Sequence, residues 1–225
     1  MPRFSNLQLV PQPNPSAKSG SVEFVGDRAA LVAALGRGEE GAAVALFDEY
    51  AELVERTAGR ILGVDDELAD VTQEIFVRAL RSIHRIRDPQ ALTDWLIQIA
   101  VFTTRDWLRA RKRKRWLAFW DPEQLEELDG RSTNPSSDAD AREALRATYR
   151  VLGHLSIEER TAFALRYLDG MELTQIAAAC DCSLATTKRR LKRASARFEL
   201  LAQREPALGP WLDAVASNVA DGKAT

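Results

Sequence analysis

Met171 to Phe198, MELTQIAAACDCSLATTKRRLKRASARF, is the stretch that decides the fold. Leu173 to about Cys180 suits a short helix, Asp181-Cys182-Ser183 turns the chain, and Ser183 supplies the hydroxyl that N-caps a longer helix to about Leu201. In that second helix Leu184, Thr187, Leu191, Ala194 and Phe198 recur at helical spacing and predict a buried face. Lys188 with Lys192, and Arg189 with Arg193, point the other way. Two helices joined by about three residues, the second one basic, make a helix-turn-helix. The major groove of duplex DNA admits a helix of this width, and exposed Arg or Lys can reach guanine acceptors or flanking phosphates.

Working outward, helical periodicity continues on both sides. Ser156 to Glu159 is a capping box opening a helix that ends at Asp169-Gly170. Before it, Leu145, Tyr149, Leu152 and Leu155 predict one apolar stripe. Nearer the N-terminus, Asp27 caps a short helix through Leu35. From Glu40, the positions Ala43, Leu46, Phe47, Tyr50, Val54, Ala58 and Ile61 predict an amphipathic helix ended near Gly63. A third helix is expected from about Asp66 to Ile86, with Leu68, Val71, Ile75, Ala79 and Ile83 inward. A fourth starts near Leu92, with Trp95, Leu96, Ile99 and Phe102 on one side. No alternating apolar run flanked by hairpin turns occurs, so the chain is expected to be all-α.

The 225 residues carry a net charge of −2 that hides a segregation. Arg105 to Arg115 holds seven basic residues and one acidic; Leu184 to Phe198 holds six basic and none acidic. The remaining 199 residues have 18 basic against 32 acidic. Two local cationic elements on an acidic body fit two separate nucleic-acid contacts with repulsion elsewhere. Between them, Asp121 to Asp140 contains seven acidic residues, two prolines and a Ser/Thr/Asn cluster, the composition of a flexible linker. The expected organisation is a disordered tail over 1–25, a first domain over 26–120, the linker over 121–140, a second domain over 141–204 and a C-terminal tail over 205–225. Trp116 to Trp120 is apolar enough to pack back on the first domain.

The first basic element differs in kind from the second, because its helix also carries Trp95, Phe102 and Trp107. Aromatic rings beside cations suit unstacked bases better than a closed duplex. The preceding loop, Ile86 to Leu92, mixes charge, proline and amide. On the third helix Asp70, Gln73 and Glu74 occupy the polar face, which by itself is a solvated face.

Asp70-Val-Thr-Gln-Glu-Ile-Phe-Val-Arg-Ala-Leu80, Trp95-Leu-Ile-Gln-Ile-Ala100 and Asp106-Trp-Leu-Arg109 resemble conserved region 2 of bacterial RNA polymerase sigma factors. Leu155-Ser-Ile-Glu-Glu-Arg160, Phe163, Arg166-Tyr-Leu-Asp-Gly170, Ile176-Ala177 and Cys182-Ser-Leu-Ala-Thr-Thr-Lys188 resemble region 4. With regions 1 and 3 absent, the layout resembles the extracytoplasmic-function (ECF, group IV) type. The likeness covers roughly residues 27–115 and 141–200, in the order and with the linker that family has.

The resemblance implies two helical domains that bind core RNA polymerase together and direct promoter recognition, DNA melting and transcription initiation. It assigns core-polymerase contact to Asp70, Gln73 and Glu74. It assigns the melted minus-ten strand to Arg87, Asp88, Gln90, Leu92, Phe102, Arg105, Arg109 and Lys112, and the minus-thirty-five duplex to Thr186, Lys188, Arg189, Arg190, Lys192 and Arg193. It also implies an anti-sigma protein as a further partner. Phe102 stands where the family usually has Asn, Ala185 replaces a frequent Gly, and Thr187 a frequent Val.

The rival reading is a stand-alone helix-turn-helix regulator that binds duplex DNA without polymerase; it leaves the first domain without a task. Catalysis is not expected: His84 and His154 have no Cys or carboxylate at ligand spacing, and no phosphate-cradling Gly-rich loop occurs. Cys180 and Cys182 lack two further ligands for zinc, so no metal, cofactor or small-molecule substrate is expected. No apolar run approaches the ~18 residues of a membrane span. The proline-broken N-terminus has no secretion-signal pattern, and two cysteines suit a reducing cytoplasm.

Overall fold

A computed structural model describes residues 27–63, 66–118 and 139–209. Eight α-helices follow one another among the described residues, with no strand: α1 Arg28–Gly36, α2 Glu40–Leu62, α3 Leu68–Ser82, α4 Leu92–Ala118, α5 Ala139–Gly153, α6 Ile157–Phe163, α7 Leu173–Ala179 and α8 Leu184–Ala202. Short 3₁₀ turns at Ile83–Arg85, Pro89–Ala91 and Pro206–Leu208 and a wide π turn at Ala164–Leu168 complete the path. The expected linker and both tails lie largely outside the described residues.

Local chemistry sets the ends of these helices. Asp27 accepts the amide of Ala30 at 2.9 Å and starts α1. Gly63 ends α2 with φ +92°, a conformation open to glycine, its N–H bonded to the Gly59 carbonyl at 2.8 Å. Ser156 and Glu159 satisfy one another's backbone amides at 3.2 Å each at the start of α6.

The first lobe packs α2, α3 and α4 around Leu46, Val54, Ile61, Val71, Ile75, Leu92, Leu96 and Val101, all fully buried. Burying each such side chain is worth about 1.5–3 kcal/mol, which is why the 3.6-residue period is so firmly written. The resemblance puts Leu92 in the strand-binding set. It is instead a core residue at 0% exposure, its helical neighbours in the core being Leu96 and Ala100. The buried stripe of α4 runs through Leu96, Ala100, Val101, Thr104, Arg105 and Leu108, so Phe102 turns outward at 57% exposure and not inward. Phe47, Leu145 and Leu184 also stand more exposed than their spacing suggested, and Ala42, Ala144 and Ala147 take inward positions.

In the second lobe, α5 presents Ala144, Ala147 and Val151 to Ala202 and Leu208. Leu152 and Leu155 meet Phe163 and Ala194. Leu208 therefore belongs to this lobe, although the sequence placed it in a tail. Phe163 stacks on Phe198 with ring centroids 4.6 Å apart.

The two lobes are docked. Leu165, Ile176, Ala179 and Cys180 from the second lobe join the same buried cluster as Ile61, Ile75 and Leu96 from the first. Gln98 of α4 donates to the Ala178 carbonyl at the end of α7 (3.1 Å). Arg160 of α6 donates to the last carbonyls of α2, Ile61 at 2.8 Å and Leu62 at 2.6 Å, where a helix terminus has acceptors to satisfy. The Tyr149 hydroxyl reaches the carbonyls of Gly59 (3.4 Å) and Arg60 (3.2 Å), and Arg56 pairs with Asp169 at 3.2 Å.

Candidate nucleic-acid interface

On the second lobe, α7 and α8 form the helix-turn-helix. Asp181 takes φ +49° in the turn, and the amide of Cys182 returns to the Ala177 carbonyl at 3.0 Å. Ser183 then caps α8, its hydroxyl accepting the Thr186 amide at 3.2 Å. Thr187, Leu191 and Ala194 are buried, which fixes the rotation of α8 about its axis. Lys188, Arg189, Lys192 and Arg193 are consequently exposed as one cationic face. Arg190 and Thr186 are not on it: Arg190 is half-buried and donates to the Cys182 sulfur at 3.4 Å, and the Thr186 hydroxyl lies 3.0 Å from that of Ser183. Both residues hold the turn. Cys180, buried beneath it, has its thiol pushed up to about 11 by desolvation.

The first lobe's candidate surface is more varied. Arg87, Asp88, Gln90 and Lys112 are exposed. Asp88 also caps the turn before α4, accepting the Gln90 amide at 2.9 Å. Trp95, Ile99 and Phe102 line up along α4 at helical spacing, the first two half-buried and Phe102 open. Trp107 is fixed by its indole N–H to Glu67 at 2.7 Å, which makes it a structural residue.

Arg105 and Arg109, both in the strand-binding set, are engaged. Arg105 is 8% exposed and lies 3.3 Å from Glu158 of α6, its Nε without a hydrogen-bond partner among the described residues. Arg109 meets the same Glu158 oxygen at 2.9 Å and Asp106 at 3.1 Å. The chain of charges continues from Asp106 to Arg78 (3.2 Å) and from Arg78 to Glu74 (2.7 Å). Burial alone would push the Glu158 carboxyl up, but the hydrogen bonds from Arg109, its own backbone amide and Arg105 outweigh that and hold it at about 2. The same pairing, Glu158 first, raises the Arg109 guanidinium. Glu158 is the residue that reading the sequence missed. Its place in the first turn of a capped helix explained its charge locally, and nothing in the spacing tied it to α4.

Of the proposed core-polymerase residues, Asp70 and Gln73 are exposed on α3 and Glu74 is half-buried against Arg78. No group of three or more potential metal ligands occurs among the described residues, and no described helix is long and apolar enough to cross a membrane.

Two helical lobes, one carrying a capped basic helix-turn-helix and the other an aromatic-cationic helix, define a DNA-binding protein of the sigma-70 class. Residues 46–114 match Sigma-70 region 2, and residues 145–198 match Sigma-70, region 4. The ECF RNA polymerase sigma-E factor of Escherichia coli K12 is 30% identical over 169 residues, 73% of this chain and 88% of that protein. The sigma-E factor of Haemophilus influenzae is 30% identical over 175 residues, 76% and 92% of the two chains. CnrH, solved in complex with the cytosolic domain of CnrY, shares the fold at TM-score 0.53 and 23% identity, over 80% of this chain and 98% of that one. The chain belongs to the ECF RNA polymerase sigma factors, the subunits through which bacterial polymerase recognises promoters.

Proposed function

We propose a division of labour between the lobes. The face of α8 made by Lys188, Arg189, Lys192 and Arg193 reads the minus-thirty-five duplex, while Arg190 and Thr186 support its turn. The loop residues Arg87, Asp88 and Gln90, with Phe102, Arg105, Arg109 and Lys112 on α4, hold the separated minus-ten strand. Asp70, Gln73 and Glu74 on α3 meet core polymerase. The observation that carries this reading is the outward ring of Phe102 on a helix bearing cations: an unpaired base can stack there, whereas a paired one cannot. Opening DNA costs about 1.4 kcal/mol per base step, so a protein that melts a start site without a fuel must capture what it unstacks.

The chain itself does no catalysis in this scheme, works in the cytoplasm, and is held in check by an anti-sigma protein. Domain limits of about 26–120 and 141–209 follow, the second extended to include Leu208. The test is open-complex formation by polymerase holding Phe102→Ala. Affinity of the same holoenzyme for a single-stranded minus-ten oligonucleotide should fall as well if the ring captures bases; an unchanged affinity for that strand refutes the assignment.

A further inference from the structure

The docked arrangement and the proposed promoter contacts are incompatible. Elements centred at minus ten and minus thirty-five lie about 25 base pairs apart, roughly 85 Å along B-DNA at 3.4 Å per pair. Here α7 packs directly on both α4 and α8, with Gln98 reaching Ala178 at 3.1 Å. Adjacent packed helices lie about 8–10 Å apart, so α4 and α8 are separated by roughly 20 Å. The lobes must part before both can sit on one promoter.

At the seam, a single carboxylate occupies two arginines of the strand-binding set. Glu158 accepts from Arg109 at 2.9 Å and from Arg105 at 3.3 Å, through the same oxygen. An anionic oxygen bridging two guanidinium groups is also how a backbone phosphate would bind them. Arg105 is 8% exposed in the docked chain, and the Glu158 oxygen that both arginines share stands where a phosphate oxygen would bind them. We propose that Glu158 is an intramolecular competitor for single-stranded DNA: it fills the phosphate site of α4 in the closed chain, and strand binding requires its displacement. This rests on the assignment of Arg105 and Arg109 to the strand.

The contact is built to be displaced. Arg109 and Glu158 are each about a third exposed, so their pair contributes modestly. The firmer contacts between lobes, Arg160 on the end of α2 and the shared apolar cluster, involve none of the strand-binding side chains. Closure therefore persists without Glu158, while access to the arginines depends on it.

The experiment uses the full chain and a fluorescein-labelled dT12 oligonucleotide, which offers phosphates without promoter sequence. Glu158→Gln keeps the Ser156–Glu159 capping box, and a helical circular-dichroism spectrum with one cooperative thermal transition verifies its fold. Its affinity for dT12 should rise about three- to thirtyfold, the worth of two partly screened pairs. Glu199→Gln, which removes the same charge from exposed α8, should change it less than twofold. Arg105→Gln with Arg109→Gln in the Glu158→Gln background should abolish the gain. Equal affinity of Glu158→Gln and the parent overturns the proposal, as does a gain that survives loss of both arginines. Promoter opening by holoenzyme carrying Arg105→Gln and Arg109→Gln separates the two ideas. If it falls while Glu158→Gln is silent, the strand assignment stands and the competitor does not.

Discussion

Replacing Gly63 by alanine places one methyl group at the seam between the lobes. A Cβ there would stand 2.8 Å from Cδ1 and 2.9 Å from Cγ of Tyr149, closer than carbon atoms approach. The backbone at Gly63 has φ +92° and ψ −164°, a region that side chains other than glycine's rarely enter. Strain of that kind costs about 1–3 kcal/mol wherever the residue sits. The second cost exists only if the lobes dock. The Tyr149 ring must swing away, giving up its packing and two long hydrogen bonds to the end of α2, together about 1 kcal/mol. A double-mutant cycle with Tyr149→Ala separates the two, because alanine at 149 leaves space for the methyl. Urea unfolding followed by circular dichroism should give Gly63→Ala a penalty of about 2–4 kcal/mol in the parent, and about 1 kcal/mol less in the Tyr149→Ala background. Equal penalties in both backgrounds would mean that Tyr149 does not lie on Gly63 in solution, and the docked arrangement would be refuted.

Three further outcomes follow from the same geometry. Ser183→Ala should cost the second lobe about 1 kcal/mol and Ser183→Gly only a few tenths, read as melting temperature, since both lose the hydroxyl but glycine leaves the freed amides open to water. Arg189→Ala and Arg193→Ala in holoenzyme should each weaken particular minus-thirty-five sequences by about 1–3 kcal/mol if they touch bases. A uniform loss across sequences with a shallower salt dependence would instead mark phosphate contacts. The Glu158 carboxyl is held below its ordinary 4.5, at about 2, so its contribution to docking is complete above 4.5 and is lost as pH falls toward about 2. The difference in stability between the parent and Glu158→Gln should thus be constant from pH 5 to 8 and shrink below pH 4.5; a difference that changes between pH 6 and 8 would assign the effect to another group.

The helices and the helix-turn-helix were legible because burial at a 3.6-residue period leaves a strong trace, and because Ser183, Ser156 and Gly63 mark ends chemically. Three side chains of α4 point otherwise than expected: the resemblance puts Leu92 and Arg105 on the strand-binding face and the spacing puts Phe102 inward, yet the period of the helix decides all three. Leu92 stands four residues before Leu96, and Arg105 stands between Val101 and Leu108 on the buried stripe. Counting around α4 would have turned Leu92 and Arg105 inward and Phe102 outward. The docking of the lobes had no comparable trace. Glu158 lies 53 residues from Arg105 in sequence, and its charge was already explained by its own helix dipole. Likewise only the fold places Ile176 and Cys180 in a cluster shared with α2 to α4. Periodicity reports that a face is buried, not what buries it.

In this scheme the chain gives polymerase its promoter. Purified core RNA polymerase, with and without the full chain, should be assayed by run-off transcription on duplex genomic fragments. Discrete transcripts are expected only when both are present, with weak, unselective binding of the chain alone to the same fragments. Tight, sequence-selective binding by the chain alone, with no new start site when polymerase is added, would contradict it.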